Sequence, residues 1–142
     1  MGVETAPLLG EAEFVERFES CALPNSAFHH RDHVRLAWIY LKREPPLVAL
    51  TRFAEGLQRF ARHHGKHDLY HETITWAFLF LIRERMERMD PEAAWEDFVE
   101  ANPDLLTWKP SILDRYYQSE TLRSDLARRV FVMPDRSTAC AA

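Results

Sequence analysis

The histidines are the residues of this chain most suited to chemistry, because all seven lie between residues 29 and 71. Four of them fall where helical periodicity turns side chains inward: His30, His33, His64 and His71. Buried imidazoles need partners, and neutral imidazole is the commonest protein ligand for divalent transition metals. We therefore predict a metal site with His30, His33 and His71 as ligands and His64 as a fourth candidate.

The spacing of these histidines is compatible with coordination of a metal. His30 and His33 stand three residues apart, which on a helix brings their Cβ atoms to about 5–6 Å from each other. Near a helix N-terminus the dipole disfavours the charged imidazolium, so neutral rings are expected. Three nitrogens and one water would form an open site for zinc, manganese, iron or nickel. In such a site the metal lowers the pKa of the water for hydrolysis.

Other readings of the same residues stay open, and so does the question of whether the protein is an enzyme. Glu72 and Tyr70 are candidate catalytic residues, because either could act with His71 in metal-free acid/base chemistry. Glu72 or Asp32 could also orient an imidazole. The alternative is a metal-free module that binds a small molecule or another chain. No established zinc signature is present, since His71 and Glu72 are not followed by a second histidine at helical spacing.

Length and composition restrict the class of protein. The 142 residues, of which 46% are hydrophobic, suit one domain over residues 1–142 with a substantial core. A net charge of −4 argues against nucleic acid as a partner. Two cysteines, no signal sequence and no long apolar run predict a cytoplasmic protein without a membrane partner. The oligomeric state is left open.

Apolar residues recur at intervals of three and four, strand-like alternation is almost absent, and glycine is scarce. The pattern predicts an all-α, single-domain antiparallel helical bundle with short additional C-terminal helices. The predicted helices cover residues 11–22, 29–43, 46–64, 68–89, 91–101, 111–117 and 119–130. Gly65 should end the third helix, and Asp68 should cap the fourth, which should be the most buried. Residues 1–10 and 135–142 should be loosely ordered tails.

Short connections favour antiparallel neighbours, so the first four helices can alternate in direction. The end of helix one, the start of helix two, the end of helix three and the start of helix four would then share one end of the bundle. The four candidate histidines would meet there. Tyr70, Arg115, Tyr116 and Tyr117 could also line a pocket, although their spacing does not show that they converge.

Several runs of the sequence resemble a family of uncharacterised bacterial all-helical proteins. These runs cover about residues 27–136 and are Phe28 to Trp38, His64-Gly65, Tyr70 to Thr75, Asn102 to Leu106, Arg115-Tyr116-Tyr117 and Pro134-Asp135. The resemblance implies a compact helical domain of bacterial origin. No activity is assigned to that family, so it implies no reaction and no catalytic residue.

Overall fold

The computed structural model describes residues 9–136, and within that range the chain is all-helical, without strands. The prediction of an all-α fold is confirmed. The eight α-helices are α1 (Glu11–Glu19), α2 (His30–Arg43), α3 (Pro46–His63), α4 (Glu72–Glu87), α5 (Trp95–Ala101), α6 (Pro103–Leu106), α7 (Ser119–Leu122) and α8 (Asp125–Arg129). Single 3-10 turns lie at Asn25–Ala27, His67–Leu69 and Ile112–Arg115.

Proline and glycine set several of the helix ends, as predicted. Pro46 begins α3 at its first position, where a missing N–H costs nothing. Gly65 has a φ of +69°, a left-handed conformation that glycine adopts without strain, and it follows the end of α3. The first helix ends three residues earlier than predicted, because Cys21 has a φ of +64° and the chain turns there.

Helices α2 and α3 form an antiparallel hairpin. Phe28, just before α2, packs against Phe60 near the end of α3, with ring centroids 4.9 Å apart. Tyr40 lies near the end of α2, and Arg52 lies near the start of α3. The guanidinium carbon of Arg52 is 5.2 Å from the centroid of the Tyr40 ring. The start of α2 therefore lies beside the end of α3, and the end of α2 lies beside the start of α3. Phe18 of α1 stacks on Phe60 and so extends the same core.

The most buried helix is α2, whereas the sequence pattern predicted the fourth helix. All residues from 34 to 41 of α2 are buried, while α4 leaves Phe80 45% exposed. The reason is that α2 packs against α3, α4 and α6 together. Its Trp38 also contacts Trp95 and Phe98 of α5. A helix in contact on all sides has no exposed stripe, so periodicity alone understates its burial.

The C-terminal part differs most from the prediction. One helix was expected over residues 119–130, but Ser124 interrupts it and caps a separate α8 by accepting the N–H of Ala127. Leu126 and Val130, expected to point inward, are 52% and 42% exposed. The fifth helix begins at Trp95 rather than at residue 91, and the helix predicted for residues 111–117 is the 3-10 turn Ile112–Arg115.

The expectation of a loose tail is wrong for its first two residues. The N–H groups of Asp135 and Arg136 both donate to the carbonyl oxygen of Tyr116. At the other end, Leu9 accepts a hydrogen bond from Arg35 and Gly10 precedes α1. The remaining parts of both predicted tails lie outside the described residues. Between residues 9 and 136, no helix has the length and apolar character needed to cross a membrane.

Candidate functional site

His71 lies at the N-terminus of α4 and takes the capping position that was predicted for Asp68. Its Nδ1 accepts the N–H of Ile74 at 3.1 Å. Its Nε2 donates to the carbonyl oxygen of Leu122 at 2.7 Å, since that oxygen can only accept. Both ring nitrogens are therefore engaged, and one of these hydrogen bonds must break before His71 can bind a metal.

His30 lies on the first turn of α2 and contacts α6. Its Nε2 donates to the carbonyl oxygen of Leu105 at 2.9 Å, and its ring packs 5.0 Å from each of Phe78 and Trp108. Burial lowers the pKa of His30, while the bond to Leu105 opposes this shift in part. The ring is thus neutral at pH 7 and joins three elements of the fold.

His33 and His64 lie at the two ends of a continuous row of aromatic rings. His33 stacks on Phe28 at 4.1 Å, Phe28 packs on Phe60 at 4.9 Å, and Phe60 packs on His64 at 4.4 Å. Burial, reinforced by the neighbouring His30 and His29, lowers the pKa of His33 to about 4. The Nε2 of His64 is buried and has no hydrogen-bond partner within residues 9–136.

The four predicted ligands are thus distributed over different surroundings. His33 and His64 share the aromatic row, whereas His30 contacts Leu105 in α6 and His71 contacts Leu122 in α7. In the part of the chain that the structure describes, no three or more His, Cys, Asp or Glu side chains are grouped to hold a metal ion. Metal binding by these histidines stays a prediction, without a preformed set of ligands between residues 9 and 136.

The two candidate catalytic residues bind each other. The Tyr70 hydroxyl donates to Oε1 of Glu72 at 2.6 Å, and both side chains are half-buried. Burial raises the pKa of Tyr70, and the bond to the Glu72 carboxylate raises it further. The hydroxyl therefore stays protonated near neutral pH. Asp32 accepts the N–H of His29 at 2.9 Å and so supports the start of α2.

An open groove of about 640 Å³ lies elsewhere, beside α6 and the turn Ile112–Arg115. It contains no histidine. Its apolar side chains are Pro110, Ile112 and Tyr116. Its hydroxyl and charged side chains are Thr107, Ser111, Asp104, Asp114, Arg115 and Arg136. A smaller depression of about 570 Å³ adjoins it at Arg136 and includes Asp135 and Gln118.

One side of the groove is held by ion pairs between α4 and α6. Arg85 donates to both carboxylate oxygens of Asp104, at 3.0 and 2.9 Å, and to the side chain of Asn102 at 2.8 Å. These hydrogen bonds to Arg85 lower the pKa of Asp104, so its carboxylate is ionised. Arg115 reaches the same carboxylate at 3.3 Å. Asp104 is therefore a fixed, already paired anion.

The C-terminal segment 131–136 contributes Arg136 to the lining of the groove and is held in place by hydrogen bonds. Tyr117 donates to the carbonyl oxygen of Val132 at 2.7 Å, and Gln118 donates its N–H to the Asp135 carboxylate at 2.9 Å. Thr121 donates its hydroxyl to the same carboxylate. Arg136 is placed at the groove, where it donates to the carbonyl oxygen of Asp114 at 2.9 Å.

The groove was largely missed by the sequence analysis. Arg115 and Tyr116 were named as candidate pocket residues and do line it, whereas Tyr117 is fully buried and Tyr70 lies at α4. The available signal was the set of short polar and aromatic runs at 102–106, 115–117 and 134–135. The groove is assembled from residues up to 32 positions apart, from Asp104 to Arg136, and spacing does not show such convergence.

Comparisons of the chain with protein-family models, with curated proteins and with solved structures found no match. The resemblance to uncharacterised bacterial helical proteins therefore stays a prediction.

Proposed function

We propose that this protein is a metal-free, small-molecule-binding helical module whose ligand occupies the groove between α6 and the C-terminal segment. The observation that carries the proposal is the groove itself. Its volume of about 640 Å³ lies within the usual range for ligand sites, about 300–1,000 Å³. Three apolar side chains lie in it beside six that carry hydroxyl or charged groups, so the groove offers apolar contact together with groups that can orient a ligand.

The rigidity of the surroundings supports the same function. Arg85 connects α4 to Asp104 on one side of the groove, and two N–H groups of the C-terminal segment bind Tyr116 on the other. Both parts of the groove are therefore held by hydrogen bonds within the protein. A preformed site spends less binding free energy on ordering than a flexible one.

The contacts of two histidines favour this alternative over the metal hypothesis. The Nε2 atoms of His30 and His71 each donate to a backbone carbonyl oxygen, at 2.9 and 2.7 Å. These bonds tie separate segments of the chain together, a structural role that requires no metal. The groove, in contrast, contains no histidine and has polar groups to which no structural role is assigned.

The proposal is tested by screening small fragments against the isotope-labelled protein by NMR and mapping the amide shifts. Saturable binders should shift residues 104–116 and 136 first. A Thr107→Trp variant should lose these binders by filling the groove. Thr107 is exposed and its hydroxyl donates only to the Pro103 carbonyl, so the substitution should preserve the fold.

Thr51→Trp is the matched control, because Thr51 is also exposed and its hydroxyl donates to the carbonyl four residues earlier, that of Leu47. It lies on α3, outside the groove, and should bind the same fragments as the unmodified protein. The proposal fails if no fragment saturates the groove, or if Thr107→Trp binds every fragment as well as Thr51→Trp does.

The metal hypothesis has a separate test. Protein purified without a histidine tag is analysed for zinc, manganese, iron and nickel, and its thermal stability is measured with each ion added. Bound metal that disappears in both His33→Ala and His71→Ala would support a metal centre and contradict a metal-free module. The proposal is supported if the unmodified protein and the two variants contain equal amounts of metal, or if none of the three contains metal.

A further inference from the structure

We infer that the ligand of the groove is a small amphiphile with one anionic head, a carboxylate or a phosphate, and an apolar body. The inference rests on the proposed function and specifies its substrate class. Its basis is the balance of charge at the groove. Two arginines there retain unused donors, whereas one of the two aspartates is already paired.

Arg115 is the first of these arginines. It touches Asp104 through a single contact of 3.3 Å, while Arg85 holds the same carboxylate through two shorter bonds. Its side chain is 60% exposed. A guanidinium has five N–H donors in a planar fork, so most of those of Arg115 are free of described partners. Their geometry matches the two oxygens of a carboxylate or phosphate.

Arg136 is the second arginine, and its charge is less compensated. Within residues 9–136, its only hydrogen bond from the side chain goes to the backbone carbonyl oxygen of Asp114, at 2.9 Å. A carbonyl accepts a hydrogen bond but carries no net charge. The same bond places Arg136 next to residue 114 and therefore close to Arg115. Two cations from two different segments thus line the groove.

Asp114 is the opposing charge and has to be counted. Its side chain is exposed and takes part in no ion pair among the described residues. With Asp104 neutralised by Arg85, the groove retains Arg115 and Arg136 against Asp114, and Asp135 lies beside Arg136 in the adjoining depression. The Asp135 carboxylate already accepts the N–H of Gln118 and the hydroxyl of Thr121, whereas the two arginines retain N–H donors that an anionic ligand can use.

The apolar body follows from the remaining lining. Pro110, Ile112 and Tyr116 provide ring and aliphatic surface beside the arginines. Burying such surface gives about 25 cal/mol per Å², so an ion without an apolar part would use only the charged half of the site. An aromatic or branched acid of small size fits both halves.

The experiment compares four probes that share one ring: benzoate, phenyl phosphate, benzyl alcohol and benzylamine. Each is titrated into the full chain while amide shifts of the groove are followed by NMR. One of the two anions should bind at least about tenfold more tightly than the alcohol, as expected for a charge-assisted hydrogen bond. Benzylamine should bind weakest. The preferred anion identifies the head group as carboxylate or phosphate.

Variants assign the preference to particular charges. A double variant Arg115→Gln and Arg136→Gln should reduce anion binding to the level of the alcohol, whereas Arg62→Gln, an exposed arginine on α3, should leave it unchanged. Asp114→Asn should strengthen anion binding several-fold, because the bond from Arg136 uses the backbone of Asp114 and survives.

The two proposals fail in distinguishable ways. Equal groove binding by benzyl alcohol and the anions would overturn the anionic head and leave the small-molecule site in place. An anion preference that survives the double arginine variant would also overturn it. Failure of all four probes and of the fragment screen to reach the groove would overturn the site itself.

Discussion

His33 shows at the scale of one residue how packing controls an imidazole. Its ring stacks on Phe28 at 4.1 Å, it is half-buried, and no hydrogen bond to its ring is present among the described residues. Protonation would place a positive charge against the Phe28 ring and beside His30. The neutral form is therefore favoured, and the protein can be expected to respond to acid through this side chain.

The stability of the protein should fall as pH drops from about 6.5 to about 4. The pKa of His33 is about 4 in the folded protein, against 6.5 when unfolded, so in this window the unfolded chain binds more protons. The loss attributable to His33 is at most about 3 kcal/mol. His30 acts in the same direction, since its pKa is lowered as well.

Urea unfolding at several pH values measures this effect, with His33→Gln as the comparison. The variant loses the ring stacking at every pH, so its free energy of unfolding is lowered throughout. The informative quantity is therefore the slope of this free energy against pH. The slope between pH 6.5 and 4 should become shallower in His33→Gln. Parallel slopes in the two proteins would show that His33 does not titrate in this way.

The packing of α1 on α3 depends at the scale of elements on a single glycine. A Cβ added at Gly56 would lie 2.5 Å from Cε2 and 2.9 Å from Cζ of Phe18. Phe18 is fully buried and packs against Phe28 and Phe60, so a shift of its ring would disturb both contacts. Gly56 therefore permits the close approach of the two helices.

Gly56→Ala should destabilise the protein by about 1–3 kcal/mol, the usual cost of overpacking a core. The sign is opposite to that of an exposed helix position, where alanine is better than glycine by about 1 kcal/mol. Chemical denaturation measures the change. In a Phe18→Leu background the same substitution should cost less, because the ring edge that causes the clash is gone. Equal costs in both backgrounds would contradict this explanation.

A helix end could be predicted from the sequence where the residues that cause it lie next to it in the chain. The ends of α2 and α3 depend on Glu44, Pro45, Pro46 and Gly65, which act through their own backbone preferences, so they were predicted to within one residue. The start of α4 could not be predicted, because His71 becomes its cap only with the carbonyl of Leu122 as a second partner, 51 residues away.

Thr73 connects the C-terminal segment to the rest of the molecule. It is completely buried in α4, where its hydroxyl donates to the carbonyl oxygen of Val130 at 2.8 Å and accepts the N–H of Val132 at 3.0 Å. The Thr73 hydroxyl therefore attaches the C-terminal segment to α4, in addition to the hydrogen bonds that this segment makes with Tyr117, Gln118 and Thr121.

Thr73→Val should cost more than about 2 kcal/mol, because two buried backbone groups lose their partner. Thr73→Ser keeps the hydroxyl and should recover most of this loss. Hydrogen exchange of residues 131–136 should accelerate in the valine variant more than exchange within α2. If the serine variant is as unstable as the valine variant, the methyl group of Thr73 matters and the hydroxyl does not.

The site illustrates the limit of sequence reasoning for the whole molecule. Histidines at i and i+3 were correctly expected to turn into the fold, but burial of His30 and His71 is satisfied by backbone carbonyls of distant segments. The direction of a ring nitrogen depends on tertiary packing and not on periodicity. Similarly, the groove exists because residues 131–136 return to Tyr116, a contact that no local pattern encodes.

The enclosure of α2 has a consequence for how the protein unfolds. Water can reach residues 34–41 only if α3, α4 or α6 moves away, and each of these also packs on another neighbour. Local opening that keeps α2 buried can involve only the outer parts of the molecule. Exposure of α2 to water requires the whole core to open at once. We therefore expect α2 to become exposed in one cooperative step, which coincident unfolding transitions by two spectroscopic probes would show.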